Sequence, residues 1–435
     1  MSTTDDITPA SVLSRGDRRR ALLGTGLGNA LEWFDWNIYA VFSVALAGSF
    51  FADGEGSSGL LHILLVFAIG FFFRPLGGLV LAAAVDRIGR RRGLALMVGL
   101  MALGCLLVAA APSYEQIGIG APIILVVARV TQGLSAGGEF AAASTYLAEV
   151  APPGKRGLYS SVFYISTAVG TILAVATSLV LHSALTSEQL AAWGWRIPFL
   201  LGAVLGVVAL WIRVGLVESQ VFSAIENAPK ASLFDGIRRY PKASLQVFGM
   251  TAGITIWYYV FAVYLPVNAK ADEPSIESRI DVASIAALVV FCAVLPLFGR
   301  ASDRFGRRLW MLLFCGVATV SAVPLMSAFT PTVGSVLLVQ TLGLLVFAFY
   351  GSIAPTLMSE MFPTEVRAAG IGMPYALAVA VFGGTSPYVL EWLDDIGRRG
   401  LFSWYMAALC LVSLLVSLTL IDRRDDDLRD LGPVR

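Results

Sequence analysis

The chain has 435 residues, of which 57% are hydrophobic and 14% charged, and its mean hydropathy is +0.76. A soluble protein carries about a quarter charged residues, so this composition excludes an ordinary water-soluble fold. A net charge of +1 gives no overall field for nucleic acid. Cys105, Cys292, Cys315 and Cys410 lie in apolar runs without paired spacing and read as packing residues. His62 and His182 stand near helix ends with no partner at metal spacing, and no GxxxxGK[ST] phosphate loop is present. No cofactor, metal or nucleotide chemistry is therefore expected: the sequence reads as an all-α membrane protein and not as an enzyme.

Apolar stretches near the roughly 20 residues needed to cross a bilayer recur along the chain. They fall at 21–47, 61–84, 93–113, 122–147, 158–185, 196–214, 243–269, 280–299, 309–329, 334–359, 369–392 and 401–421. The first carries Asn29, Glu32, Asp35 and Tyr39, which share one face at 100° per residue. Two carboxylates less than one turn apart repel each other and favour holding a proton, so Glu32 and Asp35 are proton-coupling candidates. The alternative is neutralisation by Arg74 or Arg129.

The second stretch contains Arg74-Pro75-Leu76-Gly77-Gly78. A guanidinium at membrane depth must be paired or face water. Arg74 therefore either anchors an organic anion bidentately or forms an internal pair with Glu32 or Asp35. The fourth stretch places Arg129, Gln132, Glu139 and Tyr146 within about 100° on the helical wheel. This reads as a polar track facing a cavity, with Arg129 and Gln132 as substrate contacts and Glu139 as a third proton carrier. Ser160, Tyr164, Thr167, Thr171 and Ser178 form a milder face in the fifth, where isolated Ser and Thr are expected to bond their own backbone. Tyr39, Tyr164, Tyr258, Tyr259 and Tyr375 are candidate aromatic contacts to a substrate, with Tyr264 and Tyr350 as further central rings; interfacial anchoring is the rival role.

Between the second and third stretches stands Asp86-Arg87-Ile88-Gly89-Arg90-Arg91, which returns as Asp303-Arg304-Phe305-Gly306-Arg307-Arg308 at a spacing of 217 positions. Glu149…Lys155-Arg156 is similarly echoed by Glu360…Arg367. Two six-span halves in the same order form a parallel repeat, as in secondary transporters. The expected division is a tail at 1–20, a first bundle at 21–214, a connector at 215–242 carrying Lys230, a second bundle at 243–421, and a tail at 422–435 without coiled-coil heptads. In each paired loop the glycine permits a tight turn, and the aspartate can face a helix N-terminus or an arginine. Asp86, Arg87, Gly89, Arg90, Asp303, Arg304, Gly306 and Arg307 are thus read as gating loops or, alternatively, as topology signals. With the N-terminus inside, about 24 of the 31 Lys and Arg residues fall on the cytoplasmic side, which fixes both termini there.

The stretches GNALEWFDW (28–36), RPLGG (74–78), DRIGRRR (86–92), RVTQGLSAGGE (129–139), GWRIPFLLG (194–202) and SEMFPTEVRAAGIG (359–372) resemble the metabolite:proton symporter branch of the major facilitator superfamily. Within it the chain is most similar to α-ketoglutarate permeases, through 129–151 and FGGTSPYV (382–389). The resemblance implies the major facilitator fold, with twelve transmembrane helices in two pseudo-symmetric six-helix bundles, in a bacterial inner (plasma) membrane. It also implies Arg74 as a substrate-carboxylate contact. One departure is Ala82-Ala83-Ala84-Val85 before Asp86, where relatives often carry Gly-His and Gly-Asp.

The expected function is proton-coupled uptake of a small organic anion, a mono- or dicarboxylate such as α-ketoglutarate, by a monomer whose partners are substrate, protons and lipid. Rival readings are a zwitterion such as proline or betaine, another organic acid such as shikimate or an aromatic acid, and a uniporter. Buried charge is concentrated in the first half. Gln340 or its neighbours stand where the repeat would place a counterpart of Arg129.

Overall fold

The computed structural model describes residues 14–51, 57–223 and 234–428. Most of the N-terminal tail, Lys230 of the connector and the last residues of the C-terminal tail lie outside them. Among the described residues every element is helical, as a lipid-embedded backbone without water requires. The long helices are α1 (Arg15–Val41), α2 (Ser57–Ile88), α3 (Arg90–Ala110), α4 (Gly120–Val150), α5 (Arg156–Ala184) and α6 (Arg196–Val214). The second half repeats them as α7 (Pro241–Lys270), α8 (Glu277–Phe305), α9 (Arg307–Ser327), α10 (Val333–Ser359), α11 (Thr364–Asp394) and α12 (Leu401–Leu418).

Eleven of these are long and apolar enough to cross a membrane. The remaining one, α1, falls short because Asn29, Glu32, Asp35 and Asn37 interrupt its apolar stretch and four arginines stand at its start. The expected single span at 21–47 is broken: α1 ends at Val41, and a short helix, Ser43–Phe50, continues after a turn at Phe42. Two π turns, Tyr259–Tyr264 in α7 and Val379–Gly383 in α11, interrupt the second half where no sequence signal marked them. Such bulges redirect side chains and often occur at functional sites.

Gly89 and Gly306 take φ values of +100° and +101° at the matched α2–α3 and α8–α9 corners, a region that penalises side chains. These corners and both described chain ends share one end of the bundle, called here the basic face. The halves meet along two matched seams, α2 against α11 and α5 against α8. At each seam two glycines bring backbones together. A Cβ at Gly78 would lie 2.5 Å from the Gly372 carbonyl oxygen, and one at Gly157 2.5 Å from that of Gly299. Ala82, in the departing Ala82–Val85 stretch, packs into this α2–α11 seam beside Gly372.

Candidate functional site between the halves

Helix α1 has neighbours on three sides, so the residues of its polar face meet different partners. Asn29 donates to the Phe163 carbonyl (2.8 Å), Ser166 Oγ (2.8 Å) and Thr167 Oγ1 (2.9 Å) of α5. Asp35 accepts from Arg129 Nη1 at 3.1 Å and Gln132 Nε2 at 2.7 Å on α4, and from Cys105 Sγ at 3.3 Å on α3. Arg129 lies 3.7 Å above the Tyr39 ring, and the Tyr39 hydroxyl donates to the Ile63 carbonyl. Asp35, Arg129 and Gln132 are all fully buried. The Nε and Nη2 atoms of Arg129 have no hydrogen-bond partner among the described residues.

Glu32, less than one turn away, faces Arg74 instead. Their closest approach is 3.7 Å, too long for a hydrogen bond. The Arg74 guanidinium is held between Trp36 (4.2 Å) and Phe71 (4.6 Å), and its Nη1 stands 3.5 Å from the Tyr259 hydroxyl of the second half. Arg74 Nε has no hydrogen-bond partner among the described residues. Trp33 meets Tyr258 edge-on with ring centroids 5.2 Å apart, and Tyr164 lies 5.7 Å from Tyr258 and 6.1 Å from Tyr350. Tyr375 stacks on Phe140 at 3.7 Å. The centre of the molecule thus places one lightly engaged guanidinium and one carboxylate beside an aromatic wall built by both halves.

Glu139 departs from the expected polar track. It turns toward α6 and pairs with Arg213 through contacts of 2.5 and 3.1 Å. Arg213 also donates to the carbonyls of Gly24 (2.9 Å), Thr25 (3.3 Å) and Leu94 (2.6 Å), joining α1, α3, α4 and α6. Tyr146 likewise leaves the track, donating to the Val217 carbonyl at 2.8 Å. Arg213 gives no sequence signal of this role, because a basic residue at a span end reads as a topology signal. Gly28 was its trace in the sequence: any side chain there would run into the guanidinium. Cys105 is likewise more than a packing residue. Ser160 and Thr167 bond across helices instead of to their own backbone, Ser160 accepting from Thr356 N at 3.0 Å. Gln340 is buried with both amide atoms unpartnered among the described residues, so it holds no ion pair resembling that of Arg129.

At the basic face the paired loops reach across the seams. Asp86 accepts from Arg90 (2.8 Å) and from the backbone N–H groups of Ala368 (3.2 Å) and Ala369 (2.8 Å) near the start of α11. Asp303 accepts from Arg307 (2.8 Å) and from the N–H groups of Gly157 (2.8 Å) and Leu158 (3.1 Å) at the start of α5. Glu149 joins Arg90 at 3.2 Å to Arg367 at 2.6 Å, and Glu360 joins Arg156 at 3.2 Å to Arg307 at 3.9 Å. Arg87 and Arg304 are exposed, and Arg304 lies over the Phe305 ring. The basic face is therefore closed by two matched clusters, each spanning both halves. Burial pushes the Glu360 carboxyl above its ordinary range, against the pull of Arg307 and Arg156.

A model of the Major Facilitator Superfamily matches residues 25–374. The chain belongs to this superfamily. It is a membrane transporter and not an enzyme. It is 40% identical over 424 residues to the alpha-ketoglutarate permease of Escherichia coli, covering 95% of this chain and 97% of the relative. The citrate-proton symporter of Klebsiella pneumoniae is 33% identical over 91% of the chain and 90% of its own length. A proline/betaine transporter of Escherichia coli is 30% identical over 99% of the chain and 88% of its own length. In fold it is similar to the proton:xylose symporter XylE bound to 6-bromo-6-deoxy-D-glucose, with a TM-score of 0.77 at 18% identity over 96% of this chain and 98% of the other.

Proposed function

We propose that this transporter imports a small organic anion, a mono- or dicarboxylate such as α-ketoglutarate, together with protons, by alternating access of its two halves. The observation that carries this reading is Arg74. Its guanidinium is oriented by Trp36 and Phe71 and held at 3.7 Å from Glu32 beside Tyr259 of the opposite half. An arriving carboxylate can take the guanidinium bidentately, while Tyr258, Tyr164 and Tyr375 form the wall around the rest of the molecule. Displaced from its counter-ion, Glu32 then takes up a proton, because an unpaired carboxylate at membrane depth is costly. Substrate and proton thus occupy one site in a fixed ratio. Asp35, held by Arg129, Gln132 and Cys105 within the first half, stays paired and leaves the proton to Glu32. The matched clusters at the basic face close the exit ahead of the substrate while it binds from the opposite side. The surplus of basic residues on that face supports placing it, with both termini, in the cytoplasm of a bacterial cell. Nothing in this scheme requires more than one copy of the chain.

The similarity to the alpha-ketoglutarate permease and the citrate-proton symporter supports an organic acid as cargo. A zwitterion is the second reading. Glu32 beside Trp33, Trp36, Tyr258 and Tyr259 offers a carboxylate and ring faces to a quaternary ammonium while Arg74 holds the carboxylate end. Uptake of labelled α-ketoglutarate and betaine into proteoliposomes, with and without an inward proton gradient, separates these readings. α-Ketoglutarate uptake that rises on external acidification is expected. Betaine uptake without α-ketoglutarate uptake would reverse the assignment, and indifference to the gradient would remove the coupling.

A further inference from the structure

Each half ends in a segment that returns to the glycine corner of its own α2–α3 or α8–α9 turn. After α6, Glu218 accepts from the backbone N–H groups of Arg90 (2.9 Å) and Arg91 (3.2 Å), over Gly89. After α12, the Asp422 carboxylate lies against Gly306, where a Cβ would collide with it, and Arg424 Nη1 donates to the Arg304 carbonyl at 2.6 Å. Beyond this shared beginning the two segments diverge. The first is anchored in its own half, where the Val217 carbonyl accepts from Tyr146 and Phe222 lies 4.7 Å beneath the Arg90 guanidinium, while its Gln220–Ser223 turn touches Thr364–Val366 of the second half.

The second crosses the seam. The Asp426 carbonyl accepts from Arg156 of α5 at 2.9 Å. The Leu428 carbonyl accepts from Arg367 at 2.9 Å and from Thr364 Oγ1 at 3.2 Å, both of α11. The Leu428 side chain is 3% exposed and forms a small apolar cluster with Ala148 and Val221 of the first half. One short segment therefore touches both closing clusters. It uses arginines that are already committed to Glu360 and Glu149, and it seats an apolar plug on the far side of the seam.

We infer that residues 422–428 form a latch that holds the two halves together at the basic face and weights the conformational equilibrium toward the state closed there. The Arg156–Asp426 and Leu428–Ala148/Val221 contacts run from the second half's own tail to the first half, so the halves cannot part on this face while all of them persist. Opening requires the strap to lift from Ala148 and Val221, exposing Leu428. The inference rests on the halves separating at this face during transport.

The test reads amide hydrogen exchange of the full chain in lipid nanodiscs. The N–H groups of Ala368, Ala369, Gly157 and Leu158 serve as reporters because Asp86 and Asp303 hold them only while the face is closed. Leu428→Asp should accelerate all four by about tenfold or more, the size expected from losing one buried leucine. Amides at the opposite end, around Ser113–Gly118, should keep their rates. Leu428→Ala, the milder change, should move the same four amides in the same direction. Glu149→Gln, which breaks a closing cluster directly, establishes that the halves do separate. If Glu149→Gln accelerates the reporters while a folded Leu428→Ala accelerates only residues 422–428, the latch is overturned. If no variant moves the reporters, it is the separation of the halves at this face that fails.

Discussion

The Asp35–Arg129 and Glu32–Arg74 pairs hang from the same helix less than one turn apart, yet their surroundings assign them different work. Asp35 is enclosed by α3 and α4 and accepts three side-chain hydrogen bonds, all from its own half. Glu32 meets Arg74 at a distance beyond hydrogen bonding, in a cage to which the second half contributes Tyr259. A buried ion pair holds its geometry only where the hydrogen bonds around it are satisfied. The first pair meets that condition at the carboxylate and the second does not. The first is therefore built to persist through the transport cycle, while the second is built to be exchanged for something else.

The largest effects should come from breaking the enclosed pair. Asp35→Ala strands the Arg129 guanidinium without a counter-charge, a loss of about 3–5 kcal/mol of stability. Thermal unfolding in detergent should show a marked fall in the midpoint temperature, and Arg129→Leu in the same chain should recover part of it. Glu139→Ala should cost stability on the same scale by stranding Arg213. If Glu139→Ala instead left the unfolding temperature intact while abolishing proton dependence, Glu139 would rejoin the coupling groups and its pairing with Arg213 would be incidental.

Arg74→Lys probes the other side of the comparison. It keeps the charge and loses the fork, so binding of a carboxylate should weaken by about 1.5–3 kcal/mol, roughly 10- to 100-fold in the KM for uptake. The unfolding temperature should change little, since the Glu32–Arg74 contact is loose. An equally large stability loss would mean that Arg74 is a structural cation like Arg129. Tyr259→Phe removes the polar contact that Tyr259 of the second half makes to Arg74. The effect expected is smaller, about 1 kcal/mol or a fivefold rise in KM, with turnover preserved.

How much of this was legible follows from what each residue type signals alone. The order of spans and the two halves could be read because cationic clusters and the DRxGRR repeat punctuate apolar runs, and both are local features. The helical wheel of α1 grouped Asn29, Glu32, Asp35 and Tyr39 correctly as polar. It could not show that neighbours on three sides would divide them among α5, α2 and the α3–α4 pair. Arg213 was hidden because a charge near a span end has two physical explanations, solvent and a buried partner, and only packing distinguishes them. Cys105 was hidden because a thiol in an apolar run looks the same whether it faces lipid or a carboxylate. The break at Phe42 carries no glycine or proline signal, and Gly383, Gly384 and Pro266 beside the π turns read as ordinary packing or kink residues, the turns themselves being set by tertiary fit.

The smallest expected effect concerns the basic face, whose matched clusters differ from the central pairs in lying next to water. Glu360 faces Arg307 and Arg156, with Asp422 nearby, and burial holds its carboxyl above the ordinary range while the face is closed. When the face opens, water lowers the affinity of Glu360 for a proton. The closed state thus binds the proton more tightly, and its advantage is present at low pH and lost as pH rises through the closed-state value. Mild acidification on this side should therefore favour the closed face. A spin-label distance between Ile88 and Phe305, matched positions on the two corners, should shorten on average as pH falls. In Glu360→Gln, where no proton can be exchanged, the pH dependence should flatten and the distance should stay near its acidic value. A distance that lengthens on acidification would reverse the assignment, making Glu360 a charged clamp whose neutralisation releases Arg156 and Arg307, and would set this face on the same footing as the enclosed Asp35–Arg129 pair.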